Sequence, residues 1–263
     1  MKNYEIYDYE NKLHIGILLY YEKSKTFIIE LSEDLDEWTA PLLFSGYVKQ
    51  RKYTISRDIS LLWVRERIVP VTRQNIDSIL NTHHLKEYDE MKILEIANGR
   101  CAQDSLMIRN IEEVPLYVIK RQSKNLMDIM VSGDSLICFF NNDSCKIVDI
   151  HKLDYIDGID KLLSNRDLFE SAEIGIGGYY ATFNNSIDIP AIDLFNAGTR
   201  IPLSRNDFVQ FVKNNVLDTT ETCHLLSCSR QNLAYLAENT DLSSIKEVRG
   251  NLYIKGDIMR NTW

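Results

Sequence analysis

Residues 217–239 constrain this chain more than any other stretch, because two helix starts stand there separated by a single turn. In Leu217-Asp218-Thr219-Thr220-Glu221-Thr222-Cys223-His224-Leu225-Leu226-Ser227-Cys228-Ser229-Arg230-Gln231-Asn232, Asp218 and Glu221 have the spacing of a capping box. Each side chain can then satisfy a backbone N–H that the first helical turn leaves open. Ser229 is a natural N-cap for a second helix predicted from Arg230 to about Asn239. The Leu-Leu-Ser-Cys-Ser segment between them has room only for a tight turn. In the second helix Leu233 and Leu236 fall on the inward face, while Arg230, Gln231, Asn232 and Tyr235 point outward. Beyond it, Ile245 to Ile254 reads as a hairpin turning at Arg249-Gly250-Asn251, with a last turn near Asp257.

Over residues 217–263 this order resembles the excisionase and MerR-type winged helix-turn-helix family. The resemblance implies that the second helix enters the DNA major groove and the hairpin tracks the backbone. Arg230, Gln231, Asn232 and Tyr235 would then meet bases or phosphates, since Arg reads guanine and Asn or Gln reads adenine. Lys246, Arg249, Asn251 and Lys255 would hold the backbone. Five bases from Leu217 onward (Arg230, Lys246, Arg249, Lys255, Arg260) face six acids (Asp218, Glu221, Glu238, Asp241, Glu247, Asp257). Phosphate neutralisation supplies much of the affinity for DNA, so a near-neutral module binds weakly as a single copy. A homodimer or tandem sites are therefore expected.

The whole chain is acidic, with a formal net charge of −8, which argues against a general nucleic-acid coat or an anionic-membrane binder. No apolar run has the length of a membrane span and no apolar core follows Met1, so a cytoplasmic protein is expected. The five cysteines (Cys101, Cys138, Cys145, Cys223, Cys228) are odd in number and include no Cys-x-x-Cys pair. Reduced thiols are expected rather than a disulfide framework or a zinc site.

The first third reads as an α+β domain, residues 1–120. Strands are expected at Tyr4 to Tyr9, Leu13 to Tyr21, Thr26 to Leu31 and Leu106 to Ile111. Helical spacing recurs over Ser60 to Arg67, Arg73 to Asn81 and Asp89 to Ala97, the last stopped by Gly99. An acidic loop (Glu33, Asp34, Asp36, Glu37) leads to Trp38 and Pro41-Leu42-Leu43-Phe44. The basic stretch Ile119 to Asn125 reads as a domain boundary. A second small α+β domain, residues 126–203, would hold strands at Leu126 to Met130, Leu136 to Phe140 and Cys145 to Ile150. A hairpin through Gly177-Gly178 and a short helix ending at Gly198 follow. Residues 204–216 read as a connecting helix capped by Ser204 and Asp207, with Phe208, Phe211 and Val212 forming one apolar face that should dock on a domain.

The second domain resembles a small bacterial α+β domain family of unknown function, through Gly177-Gly178-Tyr179, Phe183-Asn184, Ile187-Asp188-Ile189 and Asp193 to Gly198. The first is similar to a domain of gut Firmicutes proteins that carry it fused to that second domain and a helix-turn-helix. Trp63, Glu66 to Pro70, Arg73-Gln74-Asn75 and Gly99 to Asp104 bear that likeness. The resemblance implies this architecture and no activity.

Enzyme signatures are missing from the sequence. Gly175-Ile176-Gly177-Gly178 lacks the spacing and following helix of a dinucleotide fingerprint, so no cofactor is expected. His14, His83, His84, His151 and His224 lack metal-ligand spacing, so no metal is expected. The polar set Glu66, Arg67, Arg73, Gln74, Arg100, Cys101, Gln103 and Asp104 reads as structural bridges around Trp63, with a ligand pocket or partner surface as the alternative. Arg-Gln-Asn occurs at both 73–75 and 230–232, but the surrounding residues do not repeat.

These features point to a non-enzymatic, sequence-specific regulator that binds double-stranded DNA. The alternative is an adaptor or inhibitor, from a mobile genetic element, whose winged helix and N-terminal domain bind a protein partner.

Overall fold

Runs of Ile, Leu, Tyr and Phe near the start of the chain pair as antiparallel strands β1 (Lys2–Asp8), β2 (Leu13–Tyr21) and β3 (Thr26–Leu31). With β4 (Thr54–Ile55) and β5 (Leu106–Ile111) they make one sheet in the order β4-β3-β2-β1-β5. This is a computed structural model that describes residues 1–239, 242, 244–245, 250–254 and 258, and its class is α+β. The central strand β2 is buried on both faces, which is why it reads as a continuous apolar run rather than an alternating one. Ile15, Leu18 and Tyr20 join the main core, while Ile17 and Leu19 join a second cluster.

The main core is covered by α1 (Leu42–Lys49), α2 (Arg57–Arg65), α3 (Ile76–Thr82) and α4 (Glu90–Ile96). Phe44 of α1, Trp63 and Val64 of α2, and Met91 and Leu94 of α4 are buried in it, whereas α3 packs the partly buried Leu80 against it. Ser60 fixes α2 on the sheet. Its buried hydroxyl accepts from the Ile29 N–H at 3.0 Å and donates to the Ile55 carbonyl at 3.3 Å.

The basic stretch expected to be a boundary is helical instead: α5 (Leu116–Gln122) buries Val118 completely. Val118 packs with Ile17, Leu19, Ile28, Tyr179 and Tyr180 in the second cluster. Asn125 is also buried and donates to the Gly177 carbonyl at 2.9 Å. This shared packing covers the other face of β2. The chain accordingly divides elsewhere, into one unit of residues 1–142 with 148–198 and another of residues 143–147 with 199–263.

Within the first unit, β6 (Leu126–Ser132) and β7 (Ser135–Phe140) form a hairpin that turns at Gly133. Residue 148 of β8 (Cys145–Asp149) lies in the same core, along with side chains from α6 (Ile159–Ser164) and α7 (Arg166–Glu170). The strands β9 (Ala172–Ile174), β10 (Tyr180–Phe183) and β11 (Ile187–Pro190) form an antiparallel sheet, and α8 (Ala191–Ala197) follows. Gly178 is required in the β9–β10 connection. Its φ is +71°, and a Cβ there would lie 2.2 Å from the Leu126 carbonyl oxygen.

The second unit pairs β12 (Thr199–Ile201) antiparallel with residues 145–147 of β8. Then come α9 (Arg205–Asn215), β13 (Val216–Asp218), α10 (Thr219–Leu225), α11 (Arg230–Asn239) and β14 (Leu252–Ile254). The capping box of Ser204 and Asp207 forms at the start of α9. The helix expected to connect two domains runs directly into a strand of its own unit. On its expected apolar face Phe208, Phe211 and Val212 are 36%, 52% and 38% exposed.

Candidate nucleic-acid interface

Two short strands and two capped helices position the residues expected to read DNA. Asp218 closes β13 and opens α10. Its carboxylate accepts from the N–H of Thr220 at 2.7 Å and of Glu221 at 2.8 Å, and Glu221 returns a bond to the Asp218 N–H at 3.0 Å. The Thr222 hydroxyl is buried and donates to the Asp218 carbonyl at 2.7 Å, tightening the same turn. After α10 the chain reverses through Ser227, whose φ is +52°, and the Cys228 N–H reaches back to the Cys223 carbonyl at 3.0 Å. Ser229 then caps α11 by accepting from the Asn232 N–H at 3.2 Å.

A small core holds α11 in place. Leu233, Leu242, Tyr253 and Ile258 are buried, with Leu217, Cys223, Leu226, Cys228 and Leu236 packed against them. Burial raises the pKa of the Cys228 thiol, and the adjacent Cys223 adds to the shift, so the neutral form is favoured. With Leu233 turned inward, the first turn of α11 leaves Arg230, Gln231 and Asn232 exposed, and Tyr235 follows at 62% exposure. Arg230 is not adrift: its guanidinium donates to the Thr220 hydroxyl of α10 at 3.3 Å.

The strands frame the two helices. β13 pairs antiparallel with β14 in the register Val216↔Ile254, Leu217↔Tyr253 and Asp218↔Leu252. The Ile245 N–H donates to the Leu252 carbonyl at 2.6 Å, so the chain before β14 also bonds to it. Asn251 sits in this corner, half-buried, its carbonyl accepting from Thr219 at 3.4 Å and its amide donating to the Tyr253 hydroxyl at 3.2 Å. Arg230, Gln231, Asn232, Tyr235 and Asn251 thus belong to one described module. Lys246, Arg249 and Lys255, expected on the hairpin, lie outside the described residues, as does the turn near Asp257.

The polar set of the first unit splits. Arg67, Trp63, Asp104 and Cys101 come together: the Arg67 guanidinium lies 4.0 Å from the centre of the Trp63 ring and is ion-paired with Asp104. The Cys101 thiol is 3.6 Å from the other Asp104 oxygen. Burial lowers the pKa of Arg67, against the pull of Asp104. Glu66, Arg73, Gln74, Arg100 and Gln103 are exposed instead, and Arg73 turns to Asn75 at 2.9 Å.

Two polar groupings escaped the sequence because each crosses the sheet. His14 stands between Glu5, at 2.9 Å from Nδ1, and the Tyr117 hydroxyl, at 2.8 Å from Nε2. A carboxylate–imidazole–hydroxyl row has the outline of a nucleophilic relay. Burial raises the Tyr117 phenol pKa, however, which is the wrong direction for a nucleophile. The second grouping is Glu30, fully buried, which accepts from Arg121 at 2.7 Å and Thr54 at 2.9 Å. Burial raises its pKa in spite of Arg121. No described helix is long and apolar enough to cross a membrane. Comparison with family models, with curated proteins and with solved structures finds no match to this chain.

Proposed function

We propose that the second unit is a winged-helix DNA-binding module and that the chain is a sequence-specific DNA-binding protein, with a role in transcription regulation. One observation carries the reading: α9-β13-α10-α11-β14 is a helix–strand–helix–turn–helix–strand order whose two strands pair with each other, leaving the polar first turn of α11 exposed. Helix-turn-helix proteins place base-reading residues at that end of the second helix. Arg230, Gln231 and Asn232 are residue types that make bidentate contacts with base edges.

Charge is consistent with modest affinity. Residues 199–263 hold eight Lys and Arg against seven Asp and Glu, the extra bases Arg200, Arg205 and Lys213 coming from the segment ahead of β13. The module therefore has to place its bases on one side, and tight binding requires two copies on one DNA. The test is selection of duplexes from a randomised pool by the full chain, followed by binding measured over a range of salt. Enrichment of a common sequence, with affinity falling as salt rises, supports the reading. Recovery of unselected DNA, or of none, removes it.

A further inference from the structure

Two of the five cysteines meet across the turn that joins α10 to α11. The turn closes with a pair of backbone bonds. The Ser227 N–H donates to the His224 carbonyl at 3.2 Å, and the Cys228 N–H donates to the Cys223 carbonyl at 3.0 Å. Ser227, at φ +52°, supplies the left-handed residue between them. This way of ending a helix commonly sets the side chains joined by the outer bond against each other. Here both of those side chains are thiols.

The outer bond holds the two Cα atoms within about 7 Å of each other, beside the roughly 4.4–6.8 Å that a disulfide spans. Cys223 and Cys228 are half-buried free thiols packed on the same small core. Burial first, and then the charge and hydrogen bonding of the Cys223 thiol, raise the Cys228 pKa. Their positions are unequal. Cys223 lies within α10, whereas Cys228 lies in the turn, one residue before the Ser229 cap and two before Arg230. Drawing the sulfurs together therefore moves Cys228, and with it the first turn of α11, which Leu233 anchors only at its far end.

We propose that Cys223 and Cys228 form a reversible disulfide by exchange with low-molecular-weight disulfides, and that this bond shifts the first turn of α11. Cys223 attacks one sulfur of the external disulfide. The external S–S bond breaks, one thiol leaves with the proton, and a mixed disulfide forms. Cys228, whose neutral form is favoured, reacts second. It gives up its proton and displaces the other external thiol, which takes that proton up. The protein pair is oxidised by two electrons, and the external disulfide is reduced to two thiols. For DNA the consequence rests on the winged-helix reading: oxidation misplaces Arg230 and weakens specific binding.

The test is incubation of the full chain with oxidised glutathione, then peptide mapping without reduction and amide exchange of both forms. Residues 223 and 228 should be linked within one chain, and exchange should change at residues 229–232 but not in β1 and β2. Dithiothreitol should reverse both changes. Cys223→Ser and Cys228→Ser should each abolish the linkage, and Cys101→Ser should leave it intact. The oxidised chain should bind a selected duplex about tenfold more weakly, the loss of one good base contact. The proposal is overturned if glutathione remains on either thiol, if residues 223 and 228 link only between chains or stay reduced, or if exchange at residues 229–232 is the same in both forms. A linked chain that binds the selected duplex as tightly as the reduced one overturns it too. A chain that selects no duplex removes the DNA-binding reading, while linkage and exchange still decide this one.

Discussion

Leu217 of β13 lies opposite Tyr253 of β14, so the residues just before the first helix of the turn motif are paired with residues well beyond the second. The helix pair is thereby closed into a unit rather than left as an extension. Tyr253 is buried and sits in the same cluster as Leu233, the inward residue of α11. The strand pair and the exposed helix depend on one small core.

Leu233→Ala should therefore unfold the second unit preferentially. Large-to-small changes at fully buried leucines cost about 2–5 kcal/mol. A core this small has little other apolar burial to compensate for the loss. Hydrogen exchange should show lost protection over residues 205–239, with the amides of β1 and β2 unchanged. Equal loss in β1 and β2 would mean that the two units melt together.

Arg67→Ala should destabilise the first unit by about 2 kcal/mol. Breaking a fully buried ion pair costs more, roughly 3–5 kcal/mol, because it strands a charge. Here the Asp104 side chain is 34% exposed and can be hydrated once Arg67 is gone. Most of the loss then comes from the stack on Trp63. Arg67→Lys should not restore stability, since an ammonium lacks the planar fork that both pairs and stacks. Denaturant titration of the two variants checks both statements.

Glu30 predicts a pH dependence with a definite sign. Its folded pKa lies above the ordinary value of 4.5, mainly through burial. The folded state thus holds this proton more tightly than the unfolded chain does. The associated stability is present below pH 4.5 and is lost as pH rises through the raised folded value. Glu30→Gln removes that contribution, so the stability difference between parent and variant should shift in favour of the variant as pH climbs through this window. A difference that stays flat with pH would mean that Arg121 holds Glu30 ionised throughout.

Local chemistry explains which elements could be read from sequence. The strands β1 to β3 announced themselves as apolar, β-branched and aromatic runs broken by polar turns. The capping boxes at Ser204/Asp207 and Asp218/Glu221 are three-residue signals, and both form as spaced. Helix α5 was missed because Lys120, Arg121 and Lys124 make its neighbourhood look like a solvated link. Arg121 is in fact committed to Glu30, 91 residues away, and Val118 to the far face of β2. The strands β12 and β13 have three residues each, too few to show a period. Their identity comes from pairing with β8 and β14, which no local window contains. Of the expected DNA contacts, those on α11 could be located from the cap and one apolar position, Leu233. That Trp38 stands 87% exposed could not be read from the acidic loop beside it, since exposure is a property of the folded chain.

Arg230→Ala, compared with the parent on a selected duplex and on variants of it, tests the central claim most directly. One good bidentate base contact is worth about 1–3 kcal/mol of discrimination, whereas phosphate contacts carry no direct sequence information. The account predicts that Arg230→Ala binds the selected duplex about 10-fold or more weakly and discriminates less at one base position. Arg249→Ala, by contrast, should bind all duplexes more weakly by a similar factor. Retention of Arg230→Ala on the selected duplex at low salt, with affinity and base preference both unchanged, would contradict it.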